Sequence, residues 1–166
     1  MSTTENLKAA FAGESQANRK YLAFAKKAET DGFPQIAKLF RATAEAETVH
    51  AHNHLRVLGG IKSTAENLGE AIAGENYEFT KMYPEFVAEA EKEGNKSALI
   101  SFKGAMAVEQ THFNLYSQAL AALKAGKDLA NAPIYVCAIC GHTHVGDAPD
   151  KCPVCSAPKT RFMLVA

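Results

Sequence analysis

Two Glu-x-x-His pairs, Glu47–His50 and Glu109–His112, lie in long stretches with helical periodicity. On a helix, residues three apart stand about 60° apart around the axis and about 4.5 Å along it. A carboxylate and an imidazole at that spacing can grip one metal ion. Two further glutamates occupy matching contexts: Glu14 in Phe11-Ala12-Gly13-Glu14-Ser15 and Glu75 in Ile72-Ala73-Gly74-Glu75-Asn76. Two helices bearing Glu-x-x-His and two bearing a single Glu are the donor set of a di-iron or di-manganese carboxylate centre in a four-helix bundle. A lone Glu-x-x-His is usually a solvated surface pair; two of them, each preceded by a partner Glu, point to metal.

A second constellation sits near the end of the chain. Cys137-Ala138-Ile139-Cys140-Gly141 and Cys152-Pro153-Val154-Cys155 contain all four cysteines. Two Cys-x-x-Cys knuckles make a tetrahedral four-sulfur site that suits iron or zinc. A tail of about 35 residues cannot bury enough apolar surface to fold unaided, so the metal must supply folding energy.

Four long helices are expected to carry the first constellation. Ser2-Thr3-Thr4-Glu5 and Ser63-Thr64-Ala65-Glu66 have the form of capping boxes and open the first and third. Asp31-Gly32-Phe33-Pro34 separates the first from the second, which ends at Gly59-Gly60. Pro84 should bend or break the third, because it removes a donor and crowds the preceding turn. Gly94-Asn95 leads into the fourth, with Asn95 as N-cap, and Gly126 ends it.

The helices form an internal repeat. An offset of 61 places Ser2 on Ser63 and Glu14 on Glu75; an offset of 62 places Tyr21 on Tyr83, Glu47 on Glu109 and His50 on His112. Each half reads as a helical hairpin holding half of a two-metal site. Glu78, three residues after Glu75, breaks the symmetry, because three residues after Glu14 stands Ala17. Two ferric ions carry six positive charges, which five glutamates and a bridging oxide or hydroxide nearly balance. Two ferrous ions need one carboxylate fewer. Glu78 is therefore expected to bind in the oxidised state and His50 to replace it in the reduced state. Glu45 and His52 should face away from the site, His54 reads as a surface residue or one behind the ligands, and Met82 and Met106 read as packing residues. His142 and His144 read as solvent-facing loop residues.

Length and charge narrow the function classes. The 166 residues suit one medium domain with a small appendage, read as 1–131 and 132–166. Eighteen basic and eighteen acidic residues balance, so neither nucleic acid nor an anionic membrane surface is an expected partner. No apolar run reaches the roughly 20 residues of a membrane span, and Met1–Lys8 lacks the layout of a signal peptide. The chain is accordingly expected in the cytoplasm, where clustered cysteines bind metal. No G-x-G-x-x-G fingerprint follows a strand, so electrons must come from another protein.

Taken together, Phe-Ala-Gly-Glu-Ser, the two Glu-x-x-His pairs, Gly-Glu-x-x-Glu, Met-Tyr-Pro at 82–84, Cys-x-x-Cys-Gly and Cys-Pro-x-Cys resemble rubrerythrin over nearly the whole chain. The resemblance implies an all-α ferritin-like four-helix bundle followed by a rubredoxin-like metal-binding domain. It implies a non-haem di-iron peroxidase that reduces hydrogen peroxide to water. Its di-iron ligands would be Glu14, Glu47, His50, Glu75, Glu78, Glu109 and His112. Tyr21 and Tyr83 would donate hydrogen bonds to ligand carboxylates. One iron, or zinc, would sit at Cys137, Cys140, Cys152 and Cys155. That iron would pass electrons singly from rubredoxin or a reductase. The chain departs from the rubredoxin pattern at His142 and His144, where tyrosines often stand.

Two other function classes are open to the same residues. One is a ferroxidase or iron-storage protein of the ferritin kind, which needs no attached one-electron centre. The other is a non-enzymatic interaction module with a structural zinc ribbon. The link between the second and third helices also looks short for a ferritin-like bundle. Helix B, about 25 residues, is roughly 37 Å long, whereas Gly59 to Lys62 reaches about 17 Å. This favours a homodimer in which the first hairpin of one chain packs with the second hairpin of another. An up-down-up-down bundle within one chain is the alternative.

Overall fold

The computed structural model describes residues 2–165. The chain divides into two compact units, one ending at Lys62 and one beginning at Ser63.

The first unit is a helical hairpin of α1 (Thr3–Thr30) and α2 (Pro34–Val57). Ser2 caps α1 as its sequence demands: its side chain accepts from the Glu5 N–H while Glu5 returns to the Ser2 N–H. That reciprocal pair satisfies two donors that the first turn leaves orphaned. Pro34 opens α2, where its missing N–H costs nothing. The interface between the two helices is built of small residues. Ala37, Ala44 and Ala51, spaced by seven, are buried on α2, as are Ala25 and Ala28 on α1. Seven-residue spacing keeps them on one stripe, and their single methyls let the backbones approach closely. At the end of α2, Gly59 adopts φ +68°, and the N–H groups of Gly59 and Gly60 close on Arg56 and Leu55.

The second unit repeats that plan and adds the tail. Ser63 and Glu66 form the second capping box, opening α3 (Thr64–Tyr77). A π-helical segment, Glu78–Met82, continues into α4 (Tyr83–Lys92). Asn95 caps α5 (Lys96–Lys124) by accepting from the Ala98 N–H. Pro84 therefore does not break the third helical stretch. It stands in the first turn of α4, where a proline is tolerated, directly after a widened turn. The π segment also accounts for the change in repeat offset. One extra residue lies between Glu75 and Tyr83 relative to Glu14 and Tyr21, and a π-bulge is how a helix absorbs one residue without losing its downstream face.

Past the bulge, an offset of 62 matches an aromatic cluster and an ion pair of the first hairpin. Tyr21, Phe24 and Phe40 form an aromatic triangle with centroids 5.6–6.3 Å apart. Tyr83, Phe86 and Phe102 form its counterpart at 5.5–6.2 Å. The Arg41–Glu29 ion pair at 2.6 Å has its match in Lys103–Glu91 at 2.8 Å. The halves differ at Phe79 and Phe113, which meet edge-on at 5.5 Å. The residues 62 earlier are Ala17 and Ala51.

The tail is a three-stranded antiparallel sheet in the order β2-β1-β3, from β1 (Ile134–Cys137), β2 (Thr143–Val145) and β3 (Phe162–Leu164). Among the described residues no helix is long and apolar enough to cross a membrane.

Deleting Thr80, an exposed residue of the π segment, should return this stretch to a regular α-helix at the offset of the first half. Circular dichroism is expected to show unchanged helix content and a midpoint lowered by only a few degrees. Deleting Ala71 instead turns every later residue of its helix by about 100° and should unfold the hairpin. Equal damage from both deletions would contradict the inserted-residue account.

Candidate metal centres

Each hairpin gathers three of the donors expected from the sequence. In the first, Glu14 from α1 joins Glu47 and His50 from α2; in the second, Glu75 from α3 joins Glu109 and His112 from α5. Within each trio the donor atoms lie within 4.8 Å of one another. The same ring nitrogen is turned inward in both: His50 Nδ1 lies 2.8 Å from Glu47 Oε2, and His112 Nδ1 lies 2.9 Å from Glu109 Oε2. The i,i+3 spacing does this without help from the loops, because both side chains leave one face of one helix.

The second trio gathers its charge in a partly buried place. Burial raises the Glu75 pKa to about 7; His112 pulls it down, while the neighbouring carboxylates of Glu109 and Glu78 push it up. Glu75 Oε2 is buried with no hydrogen-bond partner, and His112 Nδ1 stands 3.6 Å from it. A divalent or trivalent ion at that point would give the buried oxygen a partner and favour the ionised carboxylate. A donor set of carboxylates and one imidazole per trio suits iron or manganese.

Glu78 lies outside the close trio but within its field. Burial raises its pKa, the Glu109 charge raises it further, and His112 opposes the shift. Tyr83 stands in the same field: burial, then Glu109, Glu78 and Glu75, hold its phenol proton more tightly. Tyr21 takes the matching place in the aromatic triangle of the first hairpin. Glu45 and His52 are exposed, and His54, Met82 and Met106 are half-buried. A buried residue that sequence reasoning passed over is Asn18, whose amide donates to Ala44 O at 2.7 Å and to Thr48 Oγ1 at 2.8 Å. It ties α1 to α2 between the helical turns that bear Glu14 and Glu47.

In the tail all four cysteines converge within 4.8 Å. The Cys137–Cys155 and Cys140–Cys152 sulfurs stand 3.7 and 3.5 Å apart. A disulfide needs about 2.05 Å, whereas the edge of a tetrahedron with metal–sulfur bonds of about 2.3 Å is about 3.8 Å. The thiols do not share protons evenly. Burial opposes ionisation of Cys137, but the N–H groups of Cys140 and Ile139 and two neighbouring thiols outweigh it, bringing the pKa to about 7. Cys140 is driven the other way by burial.

His142 and His144 are not solvent-facing. His142 is 7% exposed and His144 is half-buried in β2. The knuckle turn folds back so that the His142 carbonyl accepts from the Cys137 N–H at 2.9 Å. Burial, then the charges of His144 and His112, lower the His142 pKa. No periodicity marks a loop residue as inward, so the sequence carried no sign of this.

Comparison with known proteins agrees with both centres. The Rubrerythrin family profile matches residues 5–120, and the profile of the rubrerythrin rubredoxin-like domain matches residues 135–163. The chain belongs to the rubrerythrin family. It is 39% identical to nigerythrin of Nitratidesulfovibrio vulgaris, over 97% of this chain and 85% of that one. It is 38% identical to a rubrerythrin of Porphyromonas gingivalis, over 96% and 88%. A solved structure of nigerythrin in a partially reduced state is 38% identical and superposes with a TM-score of 0.60, covering 99% of this chain and 87% of that chain. The fold class is that of the family, four ferritin-like helices with a small rubredoxin-like tail. Its cofactors are a di-iron group held by carboxylate and histidine donors and a metal ion held by four cysteines.

Proposed function

We propose that this rubrerythrin-family chain is a peroxidase that reduces hydrogen peroxide to water, H2O2 + 2 e− + 2 H+ → 2 H2O, in defence against oxidative stress. The observation that carries the proposal is the pairing, in one chain, of a carboxylate–histidine donor set with a four-sulfur site. An iron-storage protein has no need of the second, and a structural zinc ribbon has no need of the first. When bound, the iron pair supplies two electrons together, and the four-cysteine iron restores them one at a time from rubredoxin or a reductase.

The residues divide the work by charge. Glu14, Glu47, Glu75 and Glu109 provide four negative charges, and His50 and His112 bind through Nδ1. Glu78 adds a fifth carboxylate where the bound charge is highest. His50 would hold that position when one carboxylate becomes surplus. His50 suits the exchange, since its side chain is 54% exposed against 24% for His112. Tyr83, and Tyr21 by the repeat, would donate hydrogen bonds to the ligand carboxylates. We assign the bundle to residues 1–131 and the electron-carrying tail to 132–166, and place the protein in the cytoplasm.

We also propose a homodimer in which the α1–α2 hairpin of one chain completes the site with the second hairpin of another. Helix α2 has 24 residues and is about 36 Å long. Residues 58–63, fully extended, reach about 20 Å. A connection that short cannot return along α2 to start α3 in the same direction, as a ferritin-like bundle requires.

Replacing Glu78 with Ala should leave the iron content unchanged and slow peroxide turnover about tenfold or more. Unchanged turnover removes Glu78 from the mechanism. Sedimentation of the iron-loaded protein should give a dimer; a monomer retaining both bundle irons contradicts the exchange of hairpins.

A further inference from the structure

The proposed ligand His112 has a second polar contact, and it comes from the tail. His112 Nε2 lies 3.0 Å from Thr143 Oγ1, across 31 positions of sequence. Thr143 begins β2, two residues beyond Gly141. Gly141 in turn lies near α5, where an added Cβ would come within 3.9 Å of Val108 Cγ1. Val108, next to Glu109, is 2% exposed. The cysteine knuckle is thus seated beside the α5 ligands, and one hydroxyl bridges the remaining gap. At its other end this short segment is fixed to the sulfurs, because the His142 N–H donates to the Cys140 sulfur.

We propose that Thr143 is a positioning residue: its hydroxyl accepts from the His112 Nε2–H, holds the ring with Nδ1 toward the carboxylates, and thereby couples the four-cysteine site to the helical metal site. Imidazole has two nitrogens, and the partner of one decides which of them faces the metal. Nδ1 faces the carboxylates of Glu109 and Glu75, so a second anchor at Nε2 would keep the ring in that orientation when those carboxylates turn to an ion. Thr143 is that anchor. A hydrogen bond from Nε2–H also makes the imidazole a stronger donor, which favours the oxidised ion. The repeat provides no equivalent for His50, because the first hairpin carries no tail. One histidine is therefore held and its symmetry mate is free to leave. The inference rests on the assignment of His112 as a metal ligand.

The test uses the full-length protein with Thr143→Val, which keeps the shape and removes the hydroxyl, and Thr143→Ser, which keeps the hydroxyl and removes the methyl. In the iron-loaded protein, the valine variant should retain its iron and show a higher bundle-site midpoint potential. A tenfold change in relative affinity for the two oxidation states corresponds to about 59 mV for one electron. The serine variant should match the wild type. In protein carrying zinc in the tail, 15N spectra should show His112 Nε2–H protected from exchange in the wild type and the serine variant, and about tenfold less protected in the valine variant. Equal potentials and equal protection in all three proteins overturn the proposal, as does a serine variant that behaves like valine. The 15N measurement requires no iron. If the wild type takes up no iron at the helices, the ligand assignment fails while the His112–Thr143 bond is still decided.

Discussion

Like charges held close together constrain everything else in this protein. Each hairpin presses two carboxylates and an imidazole to within 4.8 Å of one another. In the second hairpin, the pKa of Glu75 climbs to about 7 and one of its oxygens is left buried without a partner. Such a cluster is unfavourable to fold around unless a cation repays it, since half-buried carboxylates repel one another and lose hydration together. The small-residue interface of α1 and α2, the capping boxes and the aromatic triangles supply rigid helices that hold the donors in place whatever their mutual repulsion. The tail answers the same problem with sulfur: four thiols at tetrahedral spacing, one of them already inclined to ionise.

Duplication supplies the symmetry, and a single residue breaks it. The two hairpins share capping boxes, aromatic triangles, an ion pair and trios of metal-donor side chains. The second has one residue more, absorbed in the π segment Glu78–Met82. That widened turn begins at the extra carboxylate, and Phe79 and Phe113 fill space that alanines line in the first hairpin. A helix that had simply gained a residue would have rotated Tyr83 and Phe86 off their face. The bulge keeps them there and leaves Glu78 in the field of Glu109 and His112. A symmetric pair of half-sites could hold two ions; the second hairpin offers one carboxylate more than the first.

Much of this was legible in the sequence because helical chemistry is local. Ser2 with Glu5, Ser63 with Glu66, and Asn95 announce helix starts through side chains that reach only three residues. Glu47 with His50 and Glu109 with His112 announce their trios for the same reason. The shift in offset from 61 to 62 was visible as well, but only the coordinates show that a π turn absorbs it while Pro84 merely opens the next helix. What stayed illegible is non-local. The burial of His142 follows from how a knuckle folds back on itself. The contact of Thr143 with His112 joins positions 31 apart in different kinds of structure, and no periodicity encodes it.

The central claim is that donors from both hairpins enclose one pair of ions, and that the hairpins come from two chains. Co-expression of two defective chains tests it directly. One chain carries Glu47→Ala and His50→Ala, the other Glu109→Ala and His112→Ala, and neither alone should bind the iron pair. If hairpins are exchanged, every mixed dimer contains one intact site. Random pairing then restores about a quarter of the wild-type bundle iron and peroxide turnover. If each site is closed within one chain, or the trios act separately, no intact site forms and nothing is restored.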